Sequence, residues 1–201
     1  MIEIEKKVRL SEQHLLEISK KGKLLGEKTF TDIYYDTPEY KLTTQNIWLR
    51  ERDTKFELKI PVKVNGRVDS YEEIVDDREI LDRLQIDSSN ALPLCLKQSQ
   101  IIPFCTFRTS RRQFLFDGIH VDLDCADFGD DTYTVAELEV MVEKETEAAQ
   151  ALEKILDLLN RWEIDPNQNV PAKITIYLYN KSPHHYEALV KAGVIKPIQP
   201  N

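Results

Sequence analysis

The chain has 201 residues, 41% of them hydrophobic and 31% charged, with 6 Gly and 9 Pro. That suffices for one sizeable core and excludes a collagen-like or disordered polypeptide. With 35 acidic residues against 27 basic ones the formal net charge is −8, which excludes broad nucleic-acid or anionic-membrane binding and confines any anion site to a local cluster.

The opening decapeptide, MIEIEKKVRL, alternates Ile2 and Ile4 with Glu3, Glu5 and Lys7, the period-two pattern of a strand with one apolar face. Taken by itself its charged face is a solvated edge. SEQHLLEISKKG then predicts a helix capped by Ser11, striped by Leu15, Leu16 and Ile18, and stopped at Gly22. TFTDIYYDTPEY is β-branched and aromatic through Tyr35, then breaks into a turn at 36–38. NIWLRERDTKFELKIPV predicts a hairpin of strands 47–52 and 56–62 about Asp53 and Thr54. VDSYEEIVDD predicts another strand, and REILDRLQI with SNALPLCLKQ predicts helical cover.

The second half repeats the style. FRTSRRQFLFDGIHVDLDCADFG predicts a hairpin turned at Asp117-Gly118, and YTVAELEVMVEK alternates again. TEAAQALEKILDLLNRW is the clearest amphipathic helix, with Ala148, Leu152, Ile155, Leu156 and Leu159 on one stripe. PAKITIYLYNKSPHHYEALVKAGV reads equally as strand or helix before a short last helix. About eight strands joined by hairpin signals predict a mostly antiparallel sheet, closed or nearly closed.

Cys95, Cys105 and Cys125 are odd in number and lack C-x-x-C spacing, which argues against a disulfide framework or zinc site and for a reducing compartment. No apolar run reaches the length of a membrane span, and the strand pattern begins at residue 2 with no signal-peptide region ahead of it. A cytoplasmic, membrane-free protein is expected. His14, His120, His184 and His185 show no ligand spacing and read as bystanders.

Alternation also sorts the charges. Trp48, Arg50 and Arg52 share one face, as do Glu57 and Lys59; Asp122 and Asp124 oppose Val121 and Leu123; Glu137 and Glu139 oppose Ala136, Leu138, Val140 and Val142. The apolar faces suit helical cover, so a sheet curled with its charged faces inward makes a polar tunnel holding both cations and carboxylates. Packed like charges need partners. A polyanion with a divalent metal satisfies both sets, Lys and Arg holding phosphoryl oxygens and carboxylates holding a hard cation.

EIEKK matches an E-x-E-x-K signature, and WLRER, FELK, SYEEI, TSRRQF, VDLDCADFG, AELEV and PAK follow in order. On these motifs, across nearly its whole length, the chain resembles the CYTH (triphosphate tunnel metalloenzyme) superfamily, and within it most resembles the animal-type thiamine triphosphatases. The resemblance implies an α+β, mainly β fold: an eight-stranded antiparallel closed barrel with helices packed outside, residues 1–201 forming a single domain. It implies Mg²⁺-dependent hydrolysis of thiamine triphosphate to thiamine diphosphate and phosphate; a monomer is expected, and the net charge already argues against a nucleic-acid partner. The basic set carried over is Lys7, Arg50, Arg52, Lys59, Arg111 and Lys173, with Trp48 beside it for substrate. The acidic, metal-holding set is Glu3, Glu5, Glu73, Asp122, Asp124, Glu137 and Glu139. Lys7, Arg52, Lys59 and Glu139 carry the catalytic expectation.

Several alternatives stay open at this stage. Arg108 and Arg112 flank Arg111 and leave its face undecided; Asp122 and Asp124 suit either metal binding or the orientation of Arg50 and Arg52. Trp48, the one aromatic assigned to the charged face, is either a core residue or a stacking surface for a cationic ring. An inorganic triphosphatase, another organic triphosphate hydrolase, and a polyphosphate-binding module without turnover are the rival functions.

Overall fold

The computed structural model describes residues 2–62 and 70–198. Eight strands, β1 (Ile2–Val8), β2 (Lys23–Asp36), β3 (Trp48–Arg52), β4 (Lys55–Pro61), β5 (Ser70–Ile74), β6 (Ile102–Phe116), β7 (Ile119–Asp127) and β8 (Thr132–Val142), form a closed barrel. Its order is β1-β5-β4-β3-β2-β6-β7-β8, and every neighbouring pair is antiparallel. Closure leaves no unpaired edge. Positions 68 and 69 of the strand expected from VDSYEEIVDD lie outside the described residues.

Two hairpins close at the expected turns, the Asp-Gly one with residues suited to it and the other with Thr54 in a left-handed conformation that β-branched residues disfavour. Asp53 and Thr54 adopt φ of 47° and 74°, and Asp117 and Gly118 adopt 51° and 72°, the double positive-φ pattern of a type I′ turn. β2 begins at Lys23, earlier than the expected β-branched run, because β6 pairs with it along almost its whole length. That pairing overrides a polar, Gly-containing stretch with weak strand propensity of its own.

Among the described residues six α-helices accompany the barrel: α1 (Glu12–Lys21), α2 (Asp77–Arg83), α3 (Leu92–Gln98), α4 (Glu145–Arg161), α5 (Lys173–Lys181) and α6 (Pro183–Lys191). α4 lays Ala148, Ala151, Ile155, Leu158 and Leu159 against Ile4, Phe114, Val121 and Leu138 on the outer barrel face; Leu152 and Leu156 are only partly covered. α2 and α3 cover Leu49, Phe56, Leu58 and Ile74 in the same way. The expected stripe of α1 is corrected. Leu15 and Leu16 are 38% and 58% exposed, while Ile18 is buried and His14, four residues before it, stacks on Trp162 at 5.5 Å. Ser11 caps this helix, its Oγ accepting from the His14 N–H.

The ambiguous PAK segment is helical. With eight strands already closed there is no edge for a ninth, and Ile174 and Leu178, one turn apart, pack α5 onto Tyr34, Cys105, Phe107 and Ala126. Those four side chains belong to the interior face, so α5 covers part of the barrel's inside rather than its outside. Among the described residues no helix is long and apolar enough to cross a membrane, and Cys95, Cys105 and Cys125 are free.

Candidate active site

Period-two alternation places Glu3, Glu5 and Lys7 of β1 on the inner face, and the register sets Glu5 opposite Glu139 and Lys7 opposite Glu137 of β8. Trp48, Arg50 and Arg52 of β3 point into the same space, as do Lys59 of β4, Arg111 of β6 and Lys173 at the start of α5. All of these cations line one cavity of about 160 Å³. The EIEKK face is therefore internal, not a solvated edge.

Each cation is held by carboxylates. Lys7 pairs with Glu5, and Lys59 with Glu3. Arg50 Nε donates to Glu57 at 2.7 Å, with Glu73 at 3.9 Å from its Nη2. Arg52 makes a forked pair with Asp32, 2.7 and 3.0 Å, and stacks on Phe30 with its Cζ 3.9 Å from the ring centroid. Arg111 forks onto Asp124 at 2.6 and 2.6 Å, reaches Glu137 at 2.8 Å and also pairs with Asp122. Lys173 donates to Glu137 at 2.9 Å and to Asp124.

This geometry decides the open registers. Arg111 is inside, while Arg112 pairs with exposed Glu27 and Arg108 is exposed. Asp122 and Asp124 orient neither Arg50 nor Arg52; they grip Arg111 and, through Asp124, Lys173. Trp48 is not the one aromatic on this face, since Tyr34 and Tyr71 line the cavity and Phe30 lies beneath two guanidinium groups.

Asp32 and Glu57 were not singled out as site residues, although both stand two positions from interior residues on their own strands and continued alternation reaches them. Asn46 and Tyr71 were missed as well. Asn46 precedes β3 and belongs to no periodic pattern. Of the histidines, His185 is fully buried, stacked on Tyr40 at 3.8 Å and bonded through Nε2 to Thr43 Oγ1 at 2.7 Å, away from the charged cavity.

Burial works against ionisation of Lys7 and Arg111, yet Glu5 and Glu137 for the first, and Asp124 with Glu137 for the second, hold both above their ordinary values. Glu137 is likewise held well below the usual carboxylate range against its burial, by Lys173, Lys7 and Arg111. Glu139 behaves oppositely. Burial first, then Glu3, Asp122 and Glu5, push it up to about 8, and it makes no ion pair among the described residues. Glu3 is also raised, by burial and then Glu5, whereas Lys7 and Lys59 hold Glu5 below its ordinary value against its burial, so the uncompensated negative charge lies near Glu3 and Glu139.

The CYTH domain matches residues 1–172 of this sequence. The chain belongs to the CYTH domain family. It is 33% identical over 214 residues to the thiamine-triphosphatase of Homo sapiens, a match covering 96% of this chain and 91% of that protein. Its fold is similar to that of a Pyrococcus horikoshii OT3 protein, with a TM-score of 0.60, 16% identity, and 89% of this chain and 99% of that one covered. It is also similar to a Hippeastrum protein named as an adenylyl cyclase and described as having a dominant triphosphatase activity; there the TM-score is 0.52 and the identity 18%, over 90% of this chain and 96% of that one. The family match ends one residue before Lys173, the cation that α5 delivers to the cavity.

Proposed function

We propose that this CYTH chain is a triphosphate hydrolase that cleaves thiamine triphosphate to thiamine diphosphate and phosphate, with residues 1–201 as one catalytic domain. The observation that carries the reading is the convergence of Lys7, Arg50, Arg52, Lys59, Arg111 and Lys173 on one cavity. A triphosphate presents several anionic oxygens in a row, and a ring of fixed cations matches that array. Because carboxylates already hold the cations in place, little reorganisation is needed as charge shifts in the transition state. In hydrolysis a water oxygen bonds to the terminal phosphorus while the bridging P–O bond breaks, leaving diphosphate.

The donor set fits a hard divalent cation, Mg²⁺. Burial and Glu3, more than Glu5 across the β1–β8 pair, disfavour the Glu139 carboxylate, and an added cation with oxygen ligands would relieve it. Among the described residues no three acidic, His or Cys groups form a ready-made cage. Mg²⁺ is usually bound by one or two carboxylates together with substrate phosphate and water. When bound, the ion supplies charge neutralisation on phosphoryl oxygens and activates water. Glu139, with Glu3 or Glu5 beside it, would hold it; Glu73, Asp122, Asp124 and Glu137 would act chiefly by fixing Arg50, Arg111 and Lys173.

Trp48 favours an organic substrate over bare triphosphate. It lines the cavity beside Arg50 and is braced edge-on by Tyr34 at 6.4 Å, so an indole surface adjoins the phosphate clamp. Such a surface attracts a fixed cation such as a thiazolium ring. The test is a Mg²⁺-containing panel of thiamine triphosphate, inorganic triphosphate and ATP compared by kcat/KM. Preference for thiamine triphosphate is expected; preference for inorganic triphosphate makes the chain an inorganic triphosphatase, and tight binding without turnover makes it a binding module.

A further inference from the structure

Beside the charged cavity, Asn46 makes a contact that phosphate binding does not call for. It ends the 3-10 turn Thr43–Gln45 with φ 62° and ψ 26°, the left-handed region that Asn tolerates better than most residues. From there its side-chain oxygen accepts two hydrogen bonds, from the Trp48 indole Nε1 at 2.8 Å and from the Tyr71 hydroxyl at 3.1 Å. The indole N–H can only donate, so the carboxamide must turn its oxygen toward these partners. Trp48 is on β3 and Tyr71 on β5, with β4 between them. One oxygen therefore ties two aromatic walls of the cavity across an intervening strand.

The turn that presents Asn46 is itself anchored. The buried Asp36 carboxylate accepts from the backbone N–H of Thr37, Leu42 and Thr43 at 2.7, 2.9 and 2.9 Å. Thr43 in turn bonds to His185 of α6. A side chain on so fixed a backbone can set the orientation of whatever it holds.

We propose that Asn46 is the positioning residue for substrate choice: by holding the indole N–H it sets the plane of Trp48, and so decides whether the ring face meets the cationic part of an organic triphosphate. The inference rests on the thiamine triphosphate reading, because bare triphosphate has no ring to meet. Ring attraction depends on the face being presented, and an indole released from Asn46 keeps its packing on Tyr34 but loses the hydrogen bond that fixes its side-chain torsions.

Asn46→Gly keeps the left-handed backbone and removes the acceptor; Asn46→Asp keeps an acceptor for both donors. With Mg²⁺ present, the ratio of kcat/KM for thiamine triphosphate to that for inorganic triphosphate should fall about tenfold in Asn46→Gly, through KM. Asn46→Asp should stay within about threefold of wild type. Fluorotryptophan labelling supplies a readout independent of substrate, since the chain has 2 Trp and therefore two ¹⁹F resonances, Trp48 being assigned with Trp48→Phe. The Trp48 resonance should shift or broaden in Asn46→Gly and return in Asn46→Asp, with Trp162 unmoved. An unmoved Trp48 resonance, or a wild-type substrate ratio in Asn46→Gly, overturns the role of Asn46 alone. A wild-type enzyme that does not prefer thiamine triphosphate overturns the substrate reading and the specificity role with it.

Discussion

The charged cradle and the aromatic wall at Trp48, termed the mouth, share strand β3 but are built on opposite principles. In the cradle Arg50 and Arg52 are held by ion pairs to Glu57 and Asp32. At the mouth Trp48 is held by one neutral hydrogen bond and an edge contact with Tyr34. Ion pairs in a buried cavity fix charges where a phosphate chain can meet them, and removing one partner strands the other. Neutral contacts instead fix the plane of a ring at much lower cost. Under the proposed function the difference divides the labour: the cradle would serve any triphosphate, and the mouth would distinguish what the triphosphate is attached to.

The largest effect expected is on the cradle. Excess chelator should abolish hydrolysis and added Mg²⁺ should restore it, because Glu3, Glu5 and Glu139 repel an uncompensated polyanion. Undiminished turnover in chelator would leave these carboxylates only the task of fixing cations. Next, Lys7→Ala or Arg52→Ala should lower kcat/KM by roughly 2 to 4 kcal/mol of transition-state stabilisation, with both thiamine triphosphate and inorganic triphosphate affected. A loss confined to one substrate would erase the boundary between cradle and mouth. Circular dichroism should show the barrel retained, which separates lost chemistry from lost fold.

The support behind the mouth is expected to respond to acid. Burial lowers His185 to about 4 from an ordinary 6.5, with Asp36 pulling in the other direction. Between those values the unfolded chain binds a proton that the folded chain refuses, so stability falls as pH drops from about 7 toward 4. Replacing His185 with Gln should remove roughly 2 kcal/mol of the stability difference between pH 8 and pH 5, read from denaturant midpoints. Parallel pH profiles for the two proteins would show that this histidine can take a proton without leaving its place.

The smallest effect is the sharpest test of the division. Trp48→Ala should lower the preference for thiamine triphosphate over inorganic triphosphate about tenfold, the order of a cation–π contact of roughly 1 to 2 kcal/mol in a partly desolvated site. An equal loss on both substrates would make Trp48 a packing residue of the cradle wall.

What the sequence determined by itself is what its local patterns encode. Alternation put Glu3, Glu5 and Lys7, and likewise Trp48, Arg50 and Arg52, on single strand faces, and the Asp53-Thr54 and Asp117-Gly118 turns mark two of the hairpins because turn conformation is largely a property of a few adjacent residues. Tertiary structure alone decided matters that depend on distant partners. Arg111 rather than Arg108 or Arg112 is internal because β6 pairs Arg111 with Asp124 of β7. The PAK segment is a helix because the closed barrel offers no edge, and Lys173 reaches the cavity because that helix packs over interior side chains. Asn46 acquires its partners only when β3 and β5 take positions on either side of β4. A period reports which way a side chain points, whereas the group it meets there is set by register and closure, which bring together residues far apart in the chain.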